Sequence, residues 1–429
     1  AGYSQLQNGG KDNPKQAAAL ASIYNELGEV YRSSHEHDQA REAFDQARVI
    51  LEPIATKSSP PEVRYELARS FYLKIHRFDG TPPGPGFGSS NNKRGGARRD
   101  GKNEPSKRQG DGGRSGDNFW RGEFARDSET IERAVALLEE LTDEFQVPDY
   151  QQLLALCYAE RHRHLRFVDR TQSEESIAKA IGLLEDLVAR YPQNPDYRFT
   201  LSTVYVKGLR DFWTRPSAEE LADIEARATT ALELLHELHR DHPGVPEYVM
   251  SELEVRRSLA NRLRDAGRFE DARPHFKAAI ALFDSLSESE ASDGGNIMRA
   301  AITTNFYADM LLEQYRKVKE AGGEPPVESI SEAREVLQSW VNEMRPHADS
   351  DPRYYMAVGF SYKRLAAIFT ELGDSEAAAT ATHDMQTYLP EDKWVDSPRS
   401  GERGSLGGER GPSNRPRPPK QDGTAKKSS

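Results

Sequence analysis

The sequence predicts an all-α protein in which about seven helical hairpins stack as an α-solenoid. Apolar and small side chains recur three and four residues apart, which places them on one face of an α-helix. The same spacing returns many times between residues 15 and 390. Prolines follow several of these stretches, and a proline cannot continue a helix. A lone hairpin cannot bury both of its apolar faces, so stacking of neighbours is expected.

The first hairpin has two helical faces of this kind: Tyr24, Leu27, Gly28 and Tyr31, then Ala40, Phe44 and Ala47. We expect both faces to be buried. Gly28 should let the two helices approach closely, because small Ala40 can lie against it while larger side chains fill the surrounding space.

Six further hairpins repeat this spacing. Their first helices are centred on Leu67, Leu154, Leu201, Leu259, Tyr307 and Leu365, and their second helices on Leu138, Leu184, Leu235, Phe276, Leu337 and Thr382. The segments Pro148–Tyr150, Pro195–Tyr197, Pro246–Tyr248 and Pro352–Tyr354 each place a proline where it is tolerated, in the first turn of a helix. They predict the starts of four first helices.

Composition divides the chain into an array and three segments that we expect to be disordered. The array is 15–390, and the segments are an N-terminal stretch (1–14), a Gly/Arg-rich insertion within the second hairpin (81–118) and a basic tail (391–429). The insertion has 8 basic and 4 acidic residues and the tail has 9 and 6, so the net charge of -11 leaves -11 - 4 - 3 = -18 for the rest.

The hairpin pattern resembles the tetratricopeptide repeat, in which each helix of a hairpin gives a small residue to a close crossing. The resemblance implies a right-handed superhelix and a scaffold that binds other proteins. Successive anchors are 40 residues apart from Leu27 to Leu67 but 87 from Leu67 to Leu154, against about 34 in the bare repeat. We therefore expect an irregular superhelix. Residues 180–187 resemble repeat regions attached to bacterial signalling proteins such as serine/threonine kinases and sigma-factor regulators.

By the same resemblance, the first helices line a concave groove, and the side chains beside their buried face contact a peptide or a partner helix. These side chains are Asn25, Arg32, Arg69, Tyr72, Lys207, Arg210, Arg257, Asn261, Arg264, Asn305 and Arg364. Most are basic or carry an amide, so a basic stripe within an acidic array would favour an acidic partner. The alternative is that they are scattered solubilising residues.

No sequence pattern supports catalysis, a cofactor or a metal. His236 and His239 share a helix face but have no third ligand nearby in sequence, and Gly96–Lys102 has phosphate-loop spacing without the following Ser or Thr. Cys157 lies beside a core tyrosine and is expected to be buried. An enzyme is therefore the least supported class. A nucleic-acid-associated assembly factor that uses the basic insertion and tail is the competing class.

No apolar run approaches the length of a membrane span. We expect a cytoplasmic protein. Because the chain begins with Ala1, the alternative is the soluble part of a longer, membrane-anchored protein.

Overall fold

A computed structural model describes the array of helices. It covers residues 13–34, 36–76, 114–166, 168–209, 215–286, 294–350 and 354–389, without the side chains of 114–126, 294, 349 and 350. Fourteen α-helices and no β-strand occur in these residues. They are α1 (Pro14–Ser33), α2 (His37–Leu51), α3 (Pro61–Ile75), α4 (Arg114–Glu144), α5 (Pro148–Leu165), α6 (Arg170–Arg190), α7 (Pro195–Leu209), α8 (Ala218–Asp241), α9 (Pro246–Asp265), α10 (Phe269–Asp284), α11 (Gly294–Glu320), α12 (Val327–Ser350), α13 (Tyr355–Leu372) and α14 (Ser375–Tyr388).

The helices pair and stack in chain order. Each odd-numbered helix packs against the even-numbered helix that follows it, and each even-numbered helix packs against the next odd-numbered one. Consecutive odd-numbered helices also contact one another from α1 to α13. This pattern of neighbour contacts is that of a solenoid of seven hairpins, as predicted.

The core is one continuous apolar layer between the helices. Six of the seven first-helix anchors, Leu67, Leu154, Leu201, Leu259, Tyr307 and Leu365, are at most 4% exposed. Tyr158 on α5 donates its hydroxyl to Glu139 on α4 at 2.5 Å, and Tyr205 on α7 donates to Glu185 on α6 at 2.6 Å. Adjacent hairpins are therefore joined by both apolar packing and hydrogen bonds.

Local sequence signals set the helix boundaries. Helices α5, α7 and α9 begin at Pro148, Pro195 and Pro246, as predicted. Helix α13 begins at Tyr355, and Pro352 and Arg353 of the fourth predicted start lie outside the described residues. Helix α8 starts with a capping box, in which the Ser217 hydroxyl accepts from the Glu220 amide and the Glu220 carboxylate accepts from the Ser217 amide.

Two predicted core positions are wrong. Leu27 is 38% exposed, because α1 is the first helix of the described array and no described helix packs on that side. Thr382 is exposed on α14, where the buried side chains are Ala381 and Tyr388. Ala381 precedes Thr382 by one residue, so the buried face is rotated around the helix from the predicted one.

Gly28 makes the close crossing that the sequence predicts, but with a different partner. A Cβ atom added there would lie 2.3 Å from Cε1 and 2.7 Å from Cδ1 of the Phe44 ring. The nearest neighbour of the glycine is thus the aromatic ring and not Ala40.

The predicted disordered segments are almost entirely outside the described residues. Residues 1–12, 81–113 and 391–429 of these segments are not described, and α4 begins at Arg114.

Candidate functional site

The odd-numbered helices form the inner surface of the solenoid, which we define as their side away from the even-numbered helices. Consecutive odd-numbered helices pack together, whereas even-numbered helices of successive hairpins are joined by long side chains such as Arg170 and Glu220, 2.6 Å apart. A stack packed more closely on one side curves toward that side. We therefore expect the inner surface to be the concave one.

At the first two hairpins, the predicted site residues link α1 to α3. Asn25 is buried, and its Nδ2 donates to the Glu66 backbone oxygen and to Glu66 Oε2 at 3.2 and 2.9 Å. Arg32 Nη1 donates to the backbone oxygen of His76 at 3.0 Å. Arg69 Nη2 lies 2.6 Å from Glu29 Oε2. All three side chains thus serve to join helices.

The centre of the inner surface holds a buried carboxylate. Glu160 on α5 is 2% exposed, and its oxygens lie 2.7 Å from Lys207 Nζ, 2.7 Å from Arg163 Nε and 3.0 Å from His76 Nδ1. Tyr72, another predicted site residue, stacks on the His76 ring with a centroid distance of 4.9 Å. The cluster joins α3, α5 and α7.

Burial and charge act in opposite directions on this cluster. Burial disfavours the Glu160 carboxylate, but Lys207, His76 and Arg163 together hold its pKa well below its ordinary value. Burial lowers the pKa of His76, and Lys207 adds to this effect. Cys157 lies fully buried one turn away, and burial raises the pKa of its thiol, so it is packed and unreactive.

In the later hairpins the predicted residues are paired in the same way. Arg257 Nη2 lies 2.5 Å from Glu254 Oε2 on the same helix. Arg264 lies 3.2 Å from Asp265 Oδ1 and 3.9 Å from Glu313 Oε2 on α11. Asn261 is buried and donates to the Arg257 backbone oxygen at 3.0 Å.

The link between α11 and α13 is made by two more predicted residues. Arg364 binds Asp309 through two bonds of 2.9 and 2.8 Å, and Asn305 accepts from the Ser361 hydroxyl at 3.1 Å. Arg210 lies outside the described residues.

The predicted basic side chains of the inner surface are paired within the protein. Each described cation of the predicted set except Arg32 lies within 4 Å of a carboxylate, and Arg32 donates to backbone oxygens. Arg257 meets a carboxylate on its own helix, whereas Arg69, Lys207 and Arg364 each reach an acidic side chain on the preceding first helix.

A row of half-buried apolar side chains lies between these pairs, and the sequence analysis missed it. Tyr65 on α3, Leu156 on α5 and Phe199 on α7 share their helix faces with Arg69, Glu160 and Thr203 respectively, four residues further on. The ring of Tyr65 also contacts that of Tyr150 on α5, and the ring of Phe199 contacts that of Tyr248 on α9. The centroids are 5.0 and 5.2 Å apart. We call Tyr65, Leu156 and Phe199 the central track.

The i, i+4 spacing to Arg69 and Glu160 was the available signal for the central track. It was missed because the predicted groove set consists mostly of basic and amide side chains.

One edge of the same surface is acidic. The exposed side chains there directly follow the helix-opening prolines: Glu62, Asp149, Asp196 and Glu247. Their carboxylates lie at the positive ends of the helix dipoles.

Other candidate chemistry is sparse in the described part of the chain. His236 Nε2 lies 3.1 Å from Glu252 Oε1, and within the described ranges no three side chains are grouped to hold a metal ion. None of the helices described is both long and apolar enough to cross a bilayer.

Comparisons with known proteins identify the repeat. Residues 253–283, from α9 into α10, match the family model of the tetratricopeptide repeat. No curated protein matches the chain.

Solved structures give remote likenesses. A human IFIT1 dimer with PPP-AAAA is 13% identical over 90% of this chain and 88% of its own, with a TM-score of 0.25. A human IFIT1 dimer with m7Gppp-AAAA is 12% identical over 89% and 78%, with a TM-score of 0.26. Yeast Tom70 is 12% identical over 90% and 91%, with a TM-score of 0.22.

Proposed function

Because this chain carries a tetratricopeptide repeat and repeats the same hairpin through its described residues, we propose that it is a non-catalytic scaffold that holds a segment of a partner protein on its inner surface. The observation that carries the proposal is the central track. Half-buried apolar side chains in a concave surface can be covered by a partner without disturbing the core.

The partner segment is one with apolar side chains, in an extended or helical conformation. Tyr65, Leu156 and Phe199 lie on three consecutive first helices, so a segment crossing them would meet one anchor per hairpin. Aromatic anchors of this kind supply much of the energy of protein interfaces.

Charge favours basic flanks on that segment, contrary to the acidic partner expected from the sequence. Arg69, Lys207 and Arg364 are already paired with carboxylates, whereas the acidic edge is exposed. An acidic partner, or the phosphates of a nucleic acid, would have to compete with those internal carboxylates for each cation.

The proposal is tested by selecting random phage-displayed peptides on the full chain and measuring their affinity for two variants. Leu156→Lys places a charge on the central track and should weaken the selected peptides by about tenfold or more, the loss of one interface anchor. Leu183→Lys is the matched control. It changes another half-buried leucine, on the second helix α6, and should leave the affinity unchanged.

Circular dichroism of both variants establishes that each retains its helices. Peptides that bind the two variants equally well, or that bind only after the central track has been altered, would contradict the assignment of the binding surface.

A further inference from the structure

The first helix of the described array exposes an apolar seam. Ile23, Leu27 and Val30 on α1 are 63%, 38% and 60% exposed and follow one another at spacings of four and three residues. We call these three residues the α1 seam. The same helical spacing continues to Leu20 and Gln16 toward the N-terminus and to Ser34 toward the C-terminus. None of the residues at these positions is charged.

In the other six hairpins the equivalent positions are covered. The residues that correspond to Leu27 are Leu67, Leu154, Leu201, Leu259, Tyr307 and Leu365, and none is more than 4% exposed. On α7, the residues that correspond to Ile23 and Val30 are Tyr197 and Val204, which are 6% and 0% exposed. The α1 seam is thus a standard interface of this solenoid with one side missing.

The structure also shows what covers such a position. Each odd-numbered helix after α1 packs on the even-numbered helix before it. On α7, a Cβ atom added at Gly208 would lie 3.2 Å from Ile177 of α6. The buried side chains of the covering helix α6 are mostly aliphatic: Ile177, Ala180, Ile181, Leu184 and Leu187.

The opposite end of the stack is different. The outward side of α14 carries exposed Thr380, Thr382, His383, Gln386 and Thr387. A polar outer face is what a terminal repeat needs for solubility. Head-to-tail stacking of two copies would therefore place the α1 seam on a polar surface.

We infer that the α1 seam is a docking site for an amphipathic partner helix with a seam of alanine, leucine and isoleucine, of the kind that the even-numbered helices present. The argument is continuity: six times within the chain, the first helix of a hairpin packs against the second helix of the hairpin before it. A second copy of the chain is the weaker candidate, because it would bring together two first helices from strongly acidic arrays.

The probe is a fluorescently labelled peptide with the sequence of α6, Arg170–Arg190, titrated with the full chain and followed by anisotropy. This helix is chosen because it packs on α7, where Tyr197, Leu201 and Val204 correspond to Ile23, Leu27 and Val30 and are likewise all apolar. We expect saturable binding to wild type. The double variant Ile23→Lys/Leu27→Lys should weaken it at least about tenfold, and Val327→Lys, at a 57% exposed site on α12, should not.

A peptide in which Leu184 and Leu187 are replaced by lysine should not bind. The seam is exposed, so the double variant should melt at the wild-type temperature, which separates loss of docking from loss of folding. The inference is overturned if the peptide binds wild type and the double variant equally. It is also overturned if saturable binding is absent. A dimer in sedimentation analysis that the double variant dissociates would assign the seam to a second copy instead.

Discussion

Replacing Gly28 by alanine should destabilise the protein, although alanine is the better helix former. In the interior of an exposed helix, a glycine-to-alanine change gains about 0.5–1 kcal/mol of stability. At Gly28, however, the new methyl group would lie 2.3 Å from Phe44 Cε1. Phe44 is 2% exposed and packed between α1 and α2, so its ring cannot move away without displacing neighbours.

The magnitude follows from those two opposing effects. Overpacking of a well-filled core costs about 1–3 kcal/mol. Subtracting the gain in helix propensity leaves a net loss of about 0.5–2 kcal/mol. Gly182 on α6 is the matched control, because nothing lies within 4 Å of a Cβ added there, and Gly182→Ala should be stabilising by about 0.5–1 kcal/mol.

The assay is urea unfolding followed by far-ultraviolet circular dichroism for wild type and both variants. A third variant, Gly28→Ala/Phe44→Leu, makes room for the methyl group and should be more stable than the sum of its two single changes predicts. If Gly28→Ala and Gly182→Ala stabilise the protein alike, the close crossing of α1 and α2 is refuted.

Three further predictions concern the buried polar groups. Glu160→Gln should cost about 3–5 kcal/mol at neutral pH, since Lys207, Arg163 and His76 lose their shared carboxylate. The pKa of Glu160 is lower in the folded protein than in the unfolded chain, where it is about 4.3. The carboxylate therefore contributes its full stabilisation above that pH and loses it as the pH falls through the folded-state pKa. The urea midpoints of the variant and of wild type should accordingly converge in acid. Because the pKa of His76 is lowered in the folded protein, the unfolded chain takes up the proton at a higher pH than the folded protein does. Stability should therefore fall as the pH drops below about 6.5. In melting curves recorded across this range, His76→Gln should show a weaker dependence of stability on pH. An unchanged slope would contradict the burial of His76. Tyr158→Phe removes the 2.5 Å bond to Glu139 and should cost about 0.5–1.5 kcal/mol, against almost nothing for Tyr355→Phe at a 37% exposed site; equal costs in urea unfolding would show that this bond contributes nothing.

Helical periodicity was sufficient to predict the hairpins, because the residues that pack within a hairpin are close in sequence. Leu154, Tyr158 and Leu184 were placed correctly from spacing alone. Leu27 was not, since the burial of that position depends on a helix from another hairpin. Spacing identifies an apolar face but does not reveal what covers it.

The inner surface was harder to predict for the same reason. Arg364 and Asp309 are 55 residues apart in sequence, and neither residue signals that the other will be its partner. Read alone, the first helices offered a row of cations, whereas in the stack most of these cations pair with acidic side chains of a neighbouring first helix. The central track was overlooked because half-buried apolar residues look like core in a one-dimensional pattern.

The two sides of the stack are held by different forces, and this gives the solenoid a direction of easy bending. The inner side is packed, while the outer side is joined across hairpins by solvent-exposed links such as Arg133 with Glu52 and Arg170 with Glu220. Mobile ions screen exposed charges over a Debye length of about 8 Å at physiological ionic strength. We therefore expect added salt to loosen the links of the outer side before those of the packed inner side.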